Sequence, residues 1–161
     1  MIDETDRQIL AIVRTNARIS NVDIARSVGM APSAILERLR KLESKGIIQG
    51  YEARIAPKSL GLGLLAFVFV RADDRIGEPR SGELLGQIPE VLEVHHIAGE
   101  DCFLVKVRTA DTEALGRLLR EKFGAIPTIR STRTTIVMNT IKETAQLPLE
   151  LPVEDRPDDA R

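Results

Sequence analysis

Residues 20 to 46, SNVDIARSVGMAPSAILERLRKLESKG, decide how the first half of this chain folds. Ser20 stands where a helix N-cap is expected, and Gly29 follows the apolar positions as a stop signal that tolerates a positive φ. Pro32 suits the first turn of a second helix, where an N–H would have no acceptor within the helix. Gly46 ends that helix. The segment therefore predicts two short helices joined by a tight turn.

The second of these helices has an apolar face and a charged face. Ile35, Leu39 and Leu42 recur at helical spacing and are predicted to face the core. The side chains expected at or near duplex DNA are Ser33, Ala34, Glu37, Arg38, Arg40 and Lys41. A steep helix pair with a basic second helix is typical of a helix-turn-helix, which places that helix in the major groove. The same pattern also occurs at the corner of an ordinary helical bundle, so further observations are needed to choose between them.

The distribution of charge favours DNA binding. The 161-residue chain has a formal net charge of −1, but residues 1 to 60 contain ten Lys or Arg and seven Asp or Glu. A basic surface at one end of a molecule is the electrostatic footprint of a duplex-binding protein. The single cysteine predicts a reducing cytoplasm, and we expect neither a membrane span nor a signal peptide.

Hydrophobic periodicity divides the chain into three parts. Residues 3 to 16 predict a further helix with a capping box between Asp3 and Asp6, and residues 46 to 55 predict a β-wing that leads into a linker. The predicted parts are a winged helix-turn-helix domain with linker at 1–60, a second domain at 61–145, and an acidic, proline-rich tail at 146–161. The tail has the composition of a mobile segment, but its alternating apolar residues could also add a strand to a neighbour.

The second part predicts six elements in the order β-α-β-β-α-β. The apolar run from Leu64 to Val70 predicts a strand, and Asp111 is the expected cap of the second helix, whose apolar face extends to Phe123. The other predicted elements are a helix at 80–88 and strands at 91–98, 102–109 and 129–141. This order is that of a ferredoxin-like α+β sandwich. Because both faces of the first strand are apolar and the helices cover only one face of the sheet, we expect a second subunit on the other face.

Some polar residues have simpler explanations than a ligand or metal site. Adjacent strand residues point to opposite faces, so His95 and His96 cannot readily share an ion, and we predict neither a metal site nor a catalytic site. Asp73 and Asp74 are predicted to form a solvated strand end. Cys102 is predicted to be a small packing residue, because a redox role would require a depressed thiol pKa.

Four segments, in this order and spacing, resemble the Lrp/AsnC, or feast/famine, family of transcription regulators. They are IDETDRQIL at 2–10, ARISNVDIARSVGMAPSAILERLRKLESKGIIQGYEA at 17–53, HHIAGEDCFLVKV at 95–107 and IRSTRTTIVMNTIK at 129–142. The resemblance implies a domain that binds double-stranded operator DNA, hinged to an effector-sensing and oligomerisation domain at 61–145 that responds to an amino acid. We expect no other cofactor. The resemblance also implies a homodimer that assembles further into a tetramer or octamer.

The resemblance further implies where an amino-acid effector would bind, between dimers beside the glycine-containing hairpin and the last strand. Carried over to this sequence, the implied effector-binding residues are Gly99, Glu100, Asp101, Cys102, Thr132 and Thr134. The two threonines also have a simpler explanation, the preference of threonine for strands. This chain departs from the family where Cys102 replaces an aspartate found in many relatives and where Ala31 replaces a frequent serine cap.

Two other classes of function remain open from the sequence. Siroheme decarboxylases are similar to this family, and an enzyme of that kind would use His95 or His96 with Arg133 to bind a tetrapyrrole. The retained basic residues Arg38, Arg40 and Lys41 favour a regulator, because an enzyme has no need of them. A module that binds single-stranded RNA is disfavoured, because one Tyr, four Phe and no Trp leave little surface for base stacking. We therefore predict a DNA-binding transcription regulator and not an enzyme.

Overall fold

The computed structural model describes residues 2–74, 80–99 and 101–149 of the chain. The chain divides into two compact units. The first contains the residues up to Arg54 together with the segment that begins at Glu143, and the second is Ile55–Lys142. In the described ranges, no helix combines the length and apolar character that crossing a membrane requires.

Three helices form the first unit. They are α1 (Glu4–Thr15), α2 (Asn21–Val28) and α3 (Pro32–Ser44). The predicted capping box begins α1, since the Asp3 carboxylate accepts from the Asp6 N–H at 2.7 Å and the Asp6 carboxylate accepts from the Asp3 N–H at 3.3 Å. The helices pack around one apolar cluster, whose buried members are Ile9, Val13, Ile24, Ala25, Ile35, Leu39 and Leu42. The prediction that Ile35, Leu39 and Leu42 of α3 face the core is therefore confirmed.

The turn between α2 and α3 is fixed by its caps. Ser20 Oγ accepts from the Asp23 N–H at 3.1 Å and so begins α2. Gly29 ends it with φ of +74°, and its N–H donates to the Ala25 carbonyl at 2.9 Å. This left-handed conformation is one that glycine adopts without steric cost. The tight turn predicted from the sequence is therefore present.

The segment after α3 differs from the prediction. A β-wing is expected at residues 46–55, but within the described ranges this segment forms no strand. Short apolar alternation suggests a strand locally, whereas a strand also requires a partner to complete its hydrogen bonds. The segment is instead attached to α3 by Tyr51, whose hydroxyl donates to Glu43 at 2.9 Å. A 3₁₀ turn at Pro57–Leu60 then precedes the sheet.

The second unit has the predicted order β-α-β-β-α-β. Its elements are β1 (Leu64–Ala72), α4 (Arg80–Gly86), β2 (Val91–His96), β3 (Phe103–Thr109), α5 (Thr112–Leu118) and β4 (Ile129–Ile136). The strands are ordered β2-β3-β1-β4, and each neighbouring pair is antiparallel. The ferredoxin-like α+β class is therefore confirmed.

The two faces of this sheet have different surroundings. Val68 and Val70 of β1 pack with Leu85 of α4 and Leu118 of α5 in a single buried core. The alternate residues of β1 point to the other side. We refer to that side as the open face, and its principal side chains are Leu65, Phe67, Phe69, Leu104, Lys106 and Arg133. Phe67 and Phe69 are only half-buried there, so the open face exposes apolar surface.

The ends of two elements differ from the prediction. Strand β4 ends at Ile136 rather than at residue 141, and Met138 beyond it is 95% exposed. The predicted helix as far as Phe123 is α-helical only to Leu118, after which Leu119–Phe123 forms a π-helical turn. The end of a helix or strand depends on which carbonyl each backbone N–H bonds to. Side-chain periodicity does not determine that choice.

Asp74 differs from the solvated strand end that the sequence predicts for Asp73 and Asp74, whereas Asp73 is exposed. Asp74 accepts from the Ser81 N–H at 3.0 Å and from the Ser81 hydroxyl at 2.6 Å, which fixes the start of α4. Asp73 pairs with Arg130. The prediction was wrong for Asp74, because its partner Ser81 comes from another element of the fold, whereas Asp73 remains exposed in its surface ion pair.

Candidate functional site

The outward surface of α3 is the first candidate site. Ser33, Glu37, Arg40 and Lys41 are exposed, and Ala34 is half-buried. The helix begins at Pro32, and the side chain of the preceding residue, Ala31, makes no capping hydrogen bond. The predicted residues thus form a largely exposed surface that begins at a helix N-terminus, where N–H groups and the helix dipole favour anions.

Arg38 is placed differently from the other predicted contacts. Its Nη1 donates to Asp3 and to Asp6, each at 2.7 Å, and its side chain is 29% exposed. The Asp6 N–H lowers the pKa of the Asp3 carboxyl, and Arg38 lowers it further. These carboxylates in turn raise the pKa of Arg38. Arg38 therefore joins α3 to the start of α1, and the expectation that it is exposed in the same way as Arg40 was wrong.

The second candidate site is the connection between β2 and β3. Gly99 has φ of +138°, a backbone conformation that residues with side chains rarely adopt. Cys102 is half-buried, its N–H donates to the Val70 carbonyl at 2.8 Å and its thiol donates to the Ala72 carbonyl at 3.2 Å. These bonds attach the hairpin to β1. Glu100, which the sequence also assigns to this site, lies outside the described residues.

Arg133 joins this connection to the open face of the sheet. Its Nη2 donates to the Asp101 carboxylate at 2.9 Å, and its guanidinium lies 4.0 Å from the centre of the Phe69 ring. The three side chains come from β1, β4 and the hairpin. A cation that is partly neutralised by one carboxylate and stacked on a ring is oriented for a second anion.

The prediction for the effector site omits both Arg133 and Phe69. Side-chain alternation along β1 and β4 could have indicated these two residues. It does so only when the pairing of β1 with β4 is known. Phe69 lies opposite Arg133 on the neighbouring strand, and residues directly opposite share a face of the sheet. The sequence does not reveal that register.

Thr132 and Thr134 lie on the other face of β4. They are opposite Val70 and Val68, which point into the helix-covered core. Side chains alternate along a strand, so both threonines point away from the side that Arg133 occupies. The structure therefore does not bring them together with Asp101 and Arg133.

The two histidines lie on opposite faces of β2, as expected. His95 contacts Glu93 at 3.2 Å, and the His96 ring lies 5.2 Å from the Phe103 ring. Lys106 donates to Glu93 at 2.9 Å and, with a smaller contribution from His95, lowers the pKa of the Glu93 carboxyl. Among the described residues, no group of three His, Cys, Asp or Glu side chains is placed to hold a metal ion.

Comparisons with known proteins identify the family to which both units are similar. Residues 65–147 match the family model described as the Lrp/AsnC ligand binding domain, and residues 2–49 match one described as a winged helix-turn-helix DNA-binding domain. The HTH-type transcriptional regulator FL11 of Pyrococcus horikoshii is 36% identical over 150 residues, which cover 92% of this chain and 97% of the relative.

Two solved structures are similar over nearly the whole chain. A transcriptional regulator of Neisseria meningitidis in complex with L-methionine has a TM-score of 0.86 and 30% identity, with 93% of this chain and 98% of that chain covered. The feast or famine regulatory protein of M. tuberculosis complexed with L-methionine has a TM-score of 0.83 and 33% identity, with coverages of 91% and 99%.

Proposed function

Because the chain belongs to the Lrp/AsnC family of transcription regulators, we propose that residues 1–60 bind operator DNA through α3 and that residues 61–145 bind an amino acid that alters this DNA binding. The observation that carries the proposal is the exposed basic pair Arg40 and Lys41 on the outward surface of a capped helix-turn-helix. The relatives are transcription regulators and not enzymes, so the decarboxylase alternative has no support.

The proposed contacts of α3 fall into two classes. Ser33, Ala34 and Glu37 lie in the first half of the helix and would reach base edges in the major groove. Arg40 and Lys41 would contact phosphates, which supply most of the affinity without reading sequence. Arg38 would act by positioning α3 against α1, because Asp3 and Asp6 already hold its guanidinium.

The DNA interface is tested by removing the exposed cations. Replacing both Arg40 and Lys41 with Ala should weaken operator and non-operator binding together, and it should lower the slope of log affinity against log salt by about 0.9 for each lost phosphate contact. The matched control is Arg117→Ala, which removes an exposed charge from α5 in the second unit. Fluorescence anisotropy over a range of salt concentrations measures both quantities. An unchanged slope in the double variant would exclude α3 as the phosphate-contacting helix.

We propose that the effector site is formed by Gly99, Asp101, Cys102 and Arg133. The guanidinium of Arg133 stacks on the Phe69 ring. The guanidinium of Arg133 suits the carboxylate of an amino acid, and Asp101 can accept from its ammonium group. Asp101 would thereby replace the aspartate for which this chain has Cys102. L-methionine is the first ligand to test, since two similar regulators were solved with it.

Titration calorimetry with L-methionine and the other standard amino acids tests this site. Arg133→Met should weaken binding by about tenfold or more, because a charge-assisted hydrogen bond to the carboxylate is lost. Arg130→Met is the matched control, since Arg130 lies on the same strand and pairs with Asp73 instead. Gly99→Gln should also prevent binding, because it places a side chain in a backbone conformation suited to glycine. Equal affinities in all three variants would place the effector elsewhere.

We further propose that two copies associate through the open face. Phe67 and Phe69 expose apolar surface there, and the helices cover only the opposite face. The chain has a mass of 17.8 kDa, and light scattering should give at least twice that mass, or a larger multiple if dimers assemble into tetramers or octamers. Phe67→Asp should shift the mass toward the monomer. A monomeric mass for the unaltered chain at micromolar concentration would contradict the proposal.

A further inference from the structure

The first unit contains a groove that the proposed function does not use, with apolar side chains such as Leu36 and polar ones such as Asn21 and Glu43 on its walls. It has a volume of about 280 Å³ and is lined by residues of all three helices and by Tyr51. We refer to it as the three-helix groove. Leu36 and Tyr51 on its walls are 38% and 47% exposed. Arg40 also lines the groove, so the groove adjoins the proposed DNA-contacting surface of α3.

The segment that follows the sheet is attached to the first unit next to this groove. The Gln146 side-chain amide donates to the Arg14 carbonyl at 3.1 Å, and the Arg14 guanidinium donates to the Leu147 carbonyl. Arg54 donates to the Glu143 carbonyl at 2.8 Å. Arg14 directly follows Val13, one of the residues that line the groove. These bonds bring the chain to the groove at residue 147.

The residues that follow combine apolar and acidic side chains, which suit a groove that has both apolar residues and Arg40 on its walls. The sequence from residue 149 is LELPVEDRPDD, in which Leu151 and Val153 precede Glu154 and Asp155. The four peptide steps from Leu147 to Leu151 can extend over about 13 Å. Two prolines reduce the entropy lost when such a segment becomes ordered.

We propose that residues 150–155 bind in the three-helix groove and compete with DNA for α3. Leu151 and Val153 would bind the apolar walls, and Glu154 and Asp155 would pair with Arg40. Within the described residues, no carboxylate forms an ion pair with Arg40. The competition rests on the proposed function, since it requires α3 to bind DNA. Docking of the tail in the groove does not require DNA binding.

Docking multiplies the intrinsic DNA affinity by the fraction of molecules in which α3 is accessible, and so lowers the observed affinity. A tail attached to its own binding site has an effective concentration in the millimolar range, so even weak contacts occupy the groove. If docking leaves a tenth to a third of molecules accessible, removal of the tail strengthens DNA binding by about three- to tenfold. The effect should decrease as salt screens the acidic residues.

The chain contains its own reporter for this test. Tyr51 is the single tyrosine, and there is no tryptophan, so intrinsic fluorescence arises from the groove wall. We would compare the full chain with a chain that ends after Leu149 and with the pair Leu151→Ser and Val153→Ser. Both variants should increase quenching of Tyr51 by acrylamide and strengthen DNA binding in low salt.

Charge variants separate docking from a general effect of net charge. Glu154→Gln with Asp155→Asn should strengthen DNA binding. Asp158→Asn with Asp159→Asn removes the same charge outside the docked segment and should have a much smaller effect. Equal effects of the two pairs would overturn the proposal.

Two further results would also overturn it. Unchanged quenching in the shortened chain would show that the tail does not occupy the groove, and quenching that varies with protein concentration would assign the groove to a second copy. Increased quenching with unchanged DNA affinity would refute the competition. If no form of the protein binds DNA while quenching changes as expected, the docking stands and the proposed function fails.

Discussion

The start of α3 offers a direct test of how this chain positions its proposed DNA-binding helix. Ala31 occupies the N-cap with φ of −75° and ψ of +143°, and no side chain caps the first turn. This extended conformation is the one that serine and aspartate adopt when their side-chain oxygen accepts from an N–H of that turn. Ala31→Ser should therefore add a hydrogen bond without changing the backbone.

The expected magnitude follows from the known cost of the reverse change. Replacing a serine cap by alanine costs about 1 kcal/mol, so Ala31→Ser should raise the free energy of unfolding of the first unit by about that amount. For a unit of this size, 1 kcal/mol corresponds to a rise in Tm of about 4–8 °C. The control is Ser20→Ala, which removes an existing cap from α2 and should destabilise the same unit by a similar amount.

Urea unfolding followed by Tyr51 fluorescence isolates this effect, because the single tyrosine lies in the first unit. The midpoint should rise for Ala31→Ser and fall for Ser20→Ala, with the slope against urea unchanged in both. If Ser20→Ala destabilises the unit while Ala31→Ser has no effect, α3 does not begin as described and the reasoning is refuted.

A third variant at the same position separates stability from DNA binding. Ala31→Asp should stabilise α3 at least as well as serine, because its charge also interacts favourably with the helix dipole. A carboxylate about 4 Å from a phosphate in water is unfavourable by about 1 kcal/mol, so DNA affinity should fall about fivefold. Anisotropy measures this loss. Equal DNA affinity in the Asp and Ser variants would place the start of α3 away from the phosphates.

Three other predictions concern the second unit. Gly124→Ala should destabilise it by about 1–3 kcal/mol in chemical unfolding, since a Cβ there would lie 2.4 Å from the Arg120 carbonyl oxygen. Ser81→Ala should cost about 1–3 kcal/mol in the same assay, because the buried hydroxyl and its bonds are lost. Lys106 depresses the pKa of Glu93, so this carboxylate stabilises the fold above its unfolded pKa of about 4.3 and ceases to do so as pH falls through its lower folded pKa. Glu93→Gln should therefore reduce stability at pH 7 but not in acid below the folded pKa of Glu93, and an equal deficit at both pH values would contradict this assignment.

Local signals in the sequence were sufficient to predict most of the elements. Ser20 and Asp3 mark helix starts because each side chain bonds to an N–H only three residues away, and Gly29 marks a helix end through its own φ. The order of the six elements in the second unit follows from apolar periodicity, which each segment carries by itself. The exposed basic pair on α3 was equally predictable, since Ile35 and Leu39 fix which face is turned inward.

Interactions between distant parts of the chain were decided only by the tertiary structure. Arg38 meets carboxylates 32 and 35 residues away, and Arg133 meets one 32 residues away. The sequence identifies these residues as cations but not which carboxylates lie beside them. The pairing of β1 with β4 places Arg133 over Phe69 and turns Thr132 to the opposite face. Side-chain alternation distinguishes two faces along each strand, whereas the register that assigns those faces depends on how the whole sheet packs against its helices.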